Sequence, residues 1–436
     1  MSEFAVRGAI FSASDDPCKG RAAWQYLNDG VLVVANGRIS TILPYEAFRE
    51  TSLTSYPMRE YPGCLICPGF VDSHIHYAQT RIPASPADGL LEWLENHTFP
   101  EELRFADSAY ADEVAVEFFD ELVRNGTTSA LVYPTVHEVS ARKLFEHAHS
   151  RNLRMIAGKV LMDNNAPDGL LDGDDYGYSE TASLIRDWHG AGRQKYAIVL
   201  RFACTSTHEQ MRVCGRLVEE HPEMLFHTHL AETNEEINWV LSMYPFASDY
   251  LNVYESYGMV TENSLFAHCI HLSDSECERM ADAGAAAVLC PTSNSFLGSG
   301  LAKPNRLANF NVASSLGTDI GGGTSFSMLQ TMHAMYGIAK LGGEHLEGVQ
   351  LFYMATLGGA RVMGIDQKVG SFDSGKEADF VVLDSGNSKQ MKRRLDNATE
   401  IEERLFIFAI MGTAENVRET WSMGKRVYAR KGEHSL

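Results

Sequence analysis

Residues 65–76, Leu-Ile-Cys-Pro-Gly-Phe-Val-Asp-Ser-His-Ile-His, join an apolar, β-prone run to a polar end. The run predicts a buried strand that closes with Asp72-Ser73-His74-Ile75-His76. In a strand, residues i and i+2 share a face, so the imidazoles of His74 and His76 point the same way. An isolated His-x-His pair is usually structural, and its interpretation as a metal site depends on what the rest of the chain places beside it.

Seven further runs of this kind follow, separated by helical stretches. The eight runs are Leu65–Ile75, Thr127–Tyr133, Arg154–Leu161, Tyr196–Ala203, Leu225–Leu230, Ser264–Ile270, Ala285–Cys290 and Val312–Leu316. Alternating β and α units predict a parallel sheet, and eight of them over about 300 residues fit a (β/α)8 TIM barrel. Catalytic groups of this fold come from the C-terminal ends of several strands.

The two ends of the chain differ from its middle, because they contain short strands and glycine turns. Asn36-Gly37 between two β-prone runs is a strong hairpin signal. The predicted C-terminal strands are Ala378–Leu383, Leu405–Met411 and Trp421–Tyr428. We therefore expect residues 1–67 and 370–436 to form a small composite β-sandwich domain, and residues 68–369 to form the barrel of a metal-dependent hydrolase.

Composition narrows the class of protein. The chain has 436 residues, 44% of them hydrophobic, which indicates an ordered globular protein. A net charge of −20 argues against nucleic acid and anionic membrane surfaces as partners. The first residues lack the pattern of a signal peptide and no apolar run is long enough for a membrane span, so we expect a cytoplasmic protein. Cys64-x-x-Cys67 lacks the second Cys/His pair that a zinc site needs.

Ligand-type residues stand at three more predicted strand ends. Strand five closes with His227-Thr228-His229 and is followed by Glu232, strand six ends at His268, and Asp319 follows strand eight. Imidazoles with a carboxylate suit zinc or ferrous iron and need no thiolate. Four strand ends that each supply such a residue predict a catalytic metal site. His227 faces inward like His229, and we interpret it as a packed barrel residue.

The motif from Pro68 to His76 closely resembles the opening motif of the amidohydrolase superfamily, and the chain resembles the guanine deaminase family within it. The resemblance runs nearly end to end, through Leu90–Leu94, His97–Pro100, Arg124–Thr128, Ala157–Val160, Arg201-Phe202, Cys290–Asn294 and Gly317–Gly321. The superfamily segments indicate the fold and metal site. The Leu-Leu-Glu-Trp-Leu and Arg-Phe segments indicate guanine rather than another ring.

The resemblance implies one Zn²⁺ per chain, with Fe²⁺ as the other ion these ligands accept. The implied ligands are His74, His76, His229 and Asp319. Relatives with two metals commonly bridge them with a modified lysine at the end of strand four. Here that end reads Leu200-Arg201-Phe202-Ala203, which contains no lysine.

The implied reaction is the hydrolytic deamination of guanine to xanthine and ammonia. Zinc lowers the pKa of a water from about 16 to about 7, and the resulting nucleophile adds to C2 of the base. Glu232 is the candidate proton shuttle, although Glu232 to Glu236 could instead open a helix as exposed residues. The resemblance also implies that Asp319 can serve as both ligand and proton acceptor, and that His268 would hydrogen-bond the nucleophile and the developing intermediate.

The resemblance also implies contacts with the base. Arg201 would donate to the O6/N7 edge of guanine, and the amide of Gln79 would donate and accept at the N3/N9 edge. The remaining substrate contacts are expected from Phe202, His76 and Trp93. Trp93 and Phe99 either close over the ring or pack in the core, and His97 is either a loop residue or a pocket contact.

Two alternatives remain open at this point, and a third is excluded. A related deaminase would act on another amino-heterocycle, such as 8-oxoguanine, isocytosine, a pterin or an aminotriazine. A non-enzymatic scaffold of this fold would be expected to have lost ligands, which this chain retains. The cytidine-deaminase fold needs H-x-E and then P-C-x-x-C, whereas Cys290-Pro291 has the reverse order. The expected partner is a small purine base, and the resemblance implies a homodimer.

Overall fold

The computed structural model describes residues 3–431, so residues 1–2 and 432–436 of the predicted terminal β domain lie outside the described residues. The strands are β1 Phe4–Ala13, β2 Trp24–Ala35, β3 Arg38–Pro44, β4 Met58–Pro68, β5 Phe70–His76, β6 Thr127–Tyr133, β7 Arg154–Ala157, β8 Val160–Leu161, β9 Lys195–Leu200, β10 Leu225–Leu230, β11 Ser264–His268, β12 Ala286–Leu289, β13 Ser314–Leu316, β14 Phe380–Leu383, β15 Val417–Ser422 and β16 Lys425–Ala429.

The α-helices alternate with the central strands, as a βα barrel requires. They are α1 Tyr45–Phe48, α2 Leu90–Trp93, α3 Phe99–Glu102, α4 Ser108–Arg124, α5 Glu138–Ser150, α6 Tyr178–Trp188, α7 His208–Glu220, α8 Asn234–Met243, α9 Tyr250–Glu255, α10 Asp274–Ala283, α11 Pro291–Phe296, α12 Pro304–Asn309, α13 Met328–Leu341, α14 Gly348–Met354, α15 Leu357–Val362, α16 Lys389–Asn397 and α17 Ile401–Met411. Within residues 3–431, none of the helices is both long and apolar enough to cross a membrane.

Eight parallel strands form the central barrel, in the order β13-β12-β11-β10-β9-β7-β6-β5, and the short β8 pairs with β9. Two backbone hydrogen bonds close the ring just beyond β13. The amide of Asp319 donates to the carbonyl of His74 at 2.9 Å, and the amide of His76 donates to the carbonyl of Ile320 at 3.1 Å. The predicted (β/α)8 barrel is confirmed, and its closure brings the ends of the first and last strands together.

The second sheet is built from both ends of the chain, as predicted, and its seven strands form one mixed path in the order β16-β15-β14-β4-β1-β2-β3. The predicted hairpin joins β2 to β3, where Asn36 and Gly37 have φ angles of 55° and 77°, as a two-residue primed turn requires. The predicted first strand is divided at Gly69. A side chain there would collide with Thr128, so only glycine lets the chain pass from β4 of this sheet to β5 of the barrel. The domain bounds stay a prediction.

The predicted strand Leu405–Met411 is wrong, because this run lies in helix α17. A short apolar run does not distinguish a buried strand from a buried helix. Here Glu402 and Glu403 occupy the first turn, where carboxylates stabilise a helix, and Ile401, Leu405 and Phe408 are buried at helical spacing. Packing against α13 and α14 therefore overrides the strand propensity of the run.

A segment inserted after β5 covers one side of the barrel mouth. It consists of α2, a π-helical turn at Leu94–Thr98, and α3. The segment packs against the 3-10 turn Tyr77–Gln79 that follows β5. This packing holds Trp93 and Glu102 beside the strand ends and buries both side chains.

Candidate active site

The four predicted metal ligands meet at the C-terminal end of the barrel. Nε2 of His76 lies 3.2 Å from Nε2 of His74. Oδ1 of Asp319 lies 3.2 Å from Nε2 of His74 and 3.3 Å from Nε2 of His76. His229 completes the cluster, and its ring offers a ligand nitrogen within 4.8 Å of those of His74 and His76.

Hydrogen bonds behind these imidazoles decide which nitrogen of each ring faces the cluster. The carbonyl of Leu265 can only accept, so His227 donates to it from Nδ1 at 2.6 Å. Nε2 of His227 then accepts from Nδ1 of His74 at 2.8 Å, which leaves a lone pair on Nε2 of His74. His227 is thus packed in the barrel, as expected, and it also orients a predicted ligand.

His229 is fixed in the same way, because its Nδ1 donates to the carbonyl of Arg201 at 2.6 Å. Burial lowers the pKa of His74 to about 4 and holds that of His229 well below its usual range, so both rings are neutral near pH 7. Burial alone would raise the pKa of Asp319, yet the adjacent imidazoles, which carry protons in the acid range where this carboxyl titrates, hold it well below its usual range. Neutral nitrogen lone pairs and a carboxylate therefore face one another, a donor set that fits a divalent cation.

Glu232 lies beside this cluster and is only 2% exposed. Ser299 Oγ donates to its Oε1 at 2.8 Å, and its Oε2 lies 3.4 Å from Nε2 of His268. Burial and then the charge of Asp319 raise the pKa of Glu232 to about 8, so it holds a proton near neutral pH. A buried carboxyl with such a pKa is suited to both giving and taking a proton.

The interpretation of Glu232 as an exposed residue of a helix N-terminus is wrong. Helix α8 begins at Asn234, its N-cap is Thr233, and Glu236 supplies the carboxylate of the capping box. Because Glu236 caps the helix, the carboxyl of Glu232 is left in the pocket.

His268 is held by a residue that follows β12. Nδ1 of His268 lies 3.0 Å from Nδ2 of Asn294, an amide nitrogen that can only donate, so Nδ1 accepts and Nε2 carries the hydrogen. Among the described residues, Nε2 of His268 has no hydrogen-bond partner. It lies 3.8 Å from Oδ2 of Asp319, so its N–H is directed toward the space beside the ligand cluster.

One pocket is lined by three of the four predicted metal ligands, His76, His229 and Asp319. The predicted acid–base residues and the predicted substrate contacts line the same pocket. Its lining is His76, Gln79, Leu90, Trp93, Leu94, Arg201, Phe202, His229, Glu232, Glu236, His268, Leu297, Asp319 and Gly322. His74 lies just behind the lining. Phe99 is buried in the core and lines a neighbouring cavity instead, and Nε2 of His97 is 2.9 Å from the carbonyl of Pro86, away from the pocket.

Sequence reasoning missed a buried carboxylate, Glu102, that lies behind Arg201 and Gln79. Oε1 of Glu102 accepts from Nη1 of Arg201 at 2.6 Å and from Nε2 of Gln79 at 3.0 Å. The amide of Gly321 donates to Oε1 of Gln79 at 3.2 Å. Sequence reasoning also missed Ser299 as the partner of Glu232. The only sequence signal for Glu102 is its position next to the Phe99-Pro100 segment of the resemblance.

Comparisons with known proteins agree with this geometry. The Amidohydrolase family profile matches residues 65–427. A guanine deaminase of Escherichia coli (strain K12) is 43% identical over 429 residues, which is 98% of each chain. The structure of guanine deaminase from Bradyrhizobium japonicum superimposes with a TM-score of 0.95 at 34% identity and covers 99% of this chain and 100% of that one.

A third relative was solved with its ligand. Guanine deaminase from C. acetobutylicum, with guanine bound in the active site, matches with a TM-score of 0.88 at 28% identity. The alignment covers 98% of this chain and 100% of that one. The chain belongs to the amidohydrolase family, and within that family it belongs with the guanine deaminases.

Proposed function

We propose that this protein catalyses the hydrolytic deamination of guanine, in which guanine and water give xanthine and ammonia. The observation that carries the proposal is the content of a single pocket. It holds a cluster of ligand atoms that fits a divalent cation, the protonated Glu232, and two hydrogen-bond donors, Arg201 and Gln79, that suit the edge of a purine. The guanine deaminase relatives support guanine over the other amino-heterocycles.

One zinc ion per chain would be held by His74, His76, His229 and Asp319, as proposed from the resemblance. When bound, it would lower the pKa of a water so that the water is a nucleophile near neutral pH. The neutral imidazoles and the ionised carboxylate support this assignment, since each offers its lone pair without first losing a proton.

The residues of the chain move the protons. Loss of ammonia from C2 requires that the leaving amino group be protonated. Glu232, which holds a proton near neutral pH, is placed to deliver that proton to the amino group and to be reprotonated by the water that adds to C2. The hydrogen bond from Ser299 to Oε1 leaves Oε2 as the oxygen that faces the reacting atoms. Nε2 of His268 donates to the oxygen that adds to C2 and stabilises its developing charge.

The base would be oriented by the groups on the opposite side of the pocket. Arg201 and Gln79 are proposed to donate to the acceptor atoms of guanine, with Phe202 and Trp93 providing apolar contact with the ring. A pocket that pairs each polar edge of a base excludes analogues that leave a buried group unpaired.

Release of ammonia from a panel of heterocycles tests the proposal. The panel contains guanine, 8-oxoguanine, adenine, cytosine, isocytosine, a pterin and ammeline, and the protein is first analysed for metal. Strong preference for guanine is expected. Activity on another member alone would contradict the assignment of the substrate, and a chelated sample is the control for dependence on metal.

The cytoplasmic location and the homodimer stay predictions. The resemblance supports the homodimer, and eight scattered cysteines that form no disulfide framework support a reducing compartment such as the cytoplasm. Sedimentation velocity measures the assembly, and a monomer across the working concentration range would contradict the homodimer.

A further inference from the structure

Glu102 is a buried carboxylate that contacts two pocket residues from behind. It lies in α3 of the inserted segment and is 1% exposed. Its two partners come from different parts of the barrel, since Gln79 follows β5 and Arg201 follows β9. Both partners line the pocket, whereas Glu102 does not. A change at Glu102 therefore reaches a bound base only through Arg201 and Gln79.

Glu102 fixes the orientation of the Gln79 amide. A carboxylate only accepts hydrogen bonds, so the group of Gln79 that faces Glu102 must be Nε2. The amide of Gly321 only donates, and it faces Oε1 of Gln79. The two partners thus exclude a flipped amide, and the second hydrogen of Nε2 remains for a ligand. Gln79 is a donor toward the base at this nitrogen.

Glu102 also fixes Arg201. The guanidinium has five N–H donors and no acceptor, and its Nη1 is bound to the carboxylate. Arg201 is 3% exposed, so its charge needs a partner near at hand. With Nη1 held, the remaining donors on the pocket side keep one orientation. The side of the pocket made by Arg201 and Gln79 therefore presents donors, and a base must meet it with acceptor atoms.

We propose that Glu102 is a positioning residue that sets the base specificity of this pocket, by holding Arg201 and Gln79 as donors toward the acceptor atoms of a purine. The inference rests on the proposed deamination of guanine. It makes O6 of guanine a main recognition element, since a purine without O6 leaves a donor of Arg201 unpaired.

The test compares guanine with 2-aminopurine, which has the same amino group on C2 but lacks O6. Glu102→Gln is expected to raise KM for guanine more than it lowers kcat, and to reduce the guanine to 2-aminopurine ratio of kcat/KM by about tenfold or more. Both substrates are measured on one sample, so the ratio does not depend on the folded fraction. If 2-aminopurine turnover is below detection, inhibition constants of hypoxanthine and purine supply the same comparison.

Glu101→Gln is the matched control. Glu101 is the adjacent buried carboxylate, but its partners are Tyr110 and Arg104, which do not line the pocket. In Glu101→Gln, the guanine to 2-aminopurine ratio of kcat/KM is expected to stay at the wild-type value. Should Glu102→Gln not fold, Glu102→Asp keeps the charge and shortens the reach to the two partners, and the same loss of ratio is expected.

An unchanged ratio in whichever Glu102 variant folds would overturn the inference, and so would an equal loss in Glu101→Gln. Failure of the proposed function is a separate result. It would appear as a wild-type protein that binds zinc and releases no ammonia from guanine.

Discussion

Replacing Glu232 with glutamine separates proton transfer from the binding of metal and base. The glutamine amide has almost the same size, and its oxygen can still accept the hydrogen bond from Ser299. Because a hydroxyl can also accept, the amide NH2 can instead donate to Ser299, which places the amide oxygen toward the N–H of His268, where Oε2 now lies 3.4 Å from Nε2. The variant therefore keeps the shape of the pocket and loses the group that carries the proton.

The expected loss follows from the two transfers assigned to Glu232. A positioned acid–base group raises the reaction rate by about 10²–10⁴-fold, and we expect a residue that serves both proton transfers to lie near the upper end of this range. We expect kcat to fall by about 10⁴-fold, which corresponds to about 5.4 kcal/mol in the activation barrier. Zinc content should stay at one per chain, because Glu232 is not among the proposed ligands.

The assay measures xanthine formation at saturating guanine, with zinc content and Tm recorded on the same samples. Glu276→Gln is the control, since Glu276 is a buried carboxylate in the capping box of α10, outside the pocket. Its kcat should match the wild type. If Glu232→Gln with zinc bound retains kcat within about tenfold of the wild type, Glu232 is not the proton shuttle.

Three further predictions concern the support of the site and the stability of the fold. His227→Leu removes the acceptor that orients His74 and is expected to weaken zinc binding by about 10–100-fold in competition with a chelator; unchanged affinity would contradict the orienting role. Lys159→Met leaves the buried carboxylate of Asp172 without its cation and should lower the free energy of unfolding by about 3–5 kcal/mol in denaturant titrations, whereas a loss below about 1 kcal/mol would contradict the pairing. Burial raises the pKa of Glu236 from 4.5 to about 7, so the folded state binds more protons than the unfolded state in this window and stability falls as pH rises through it. The Tm of Glu236→Gln should therefore fall less than that of the wild type between about pH 5 and about pH 8, and parallel curves would contradict the shift.

The barrel was predictable because the alternation of apolar β-prone runs with helical stretches is repeated along most of the chain. Each strand is a short apolar run, and the polar residues that matter stand at the strand ends, where parallel strands bring them together. The period of a strand alone predicts that His74 and His76 point to the same face. The position of Asp319 beside them follows from closure of the ring between β13 and β5.

The parts that the sequence did not reveal depend on contacts between distant segments. Apart from its position near the Phe99-Pro100 segment, nothing in the local sequence separates Glu102 from an ordinary exposed glutamate of a helix, because its burial arises from packing of the inserted segment against the turn after β5. The same holds for Ser299, whose partner Glu232 is 67 positions away. The strand prediction for Leu405–Met411 was wrong for another reason. The composition of this run allows a strand and a helix equally, and packing against the neighbouring helices stabilises the helix.

Zinc-dependent hydrolysis at this site is tested by measuring zinc occupancy and xanthine formation together in water enriched in ¹⁸O. Protein samples titrated with zinc from zero to one equivalent are given guanine, and the xanthine is analysed by mass. Turnover is expected to be proportional to bound zinc, with one ¹⁸O in each xanthine and one ammonia released for each. Xanthine formed at full rate by the zinc-free protein, or without ¹⁸O, would contradict hydrolysis at this metal site.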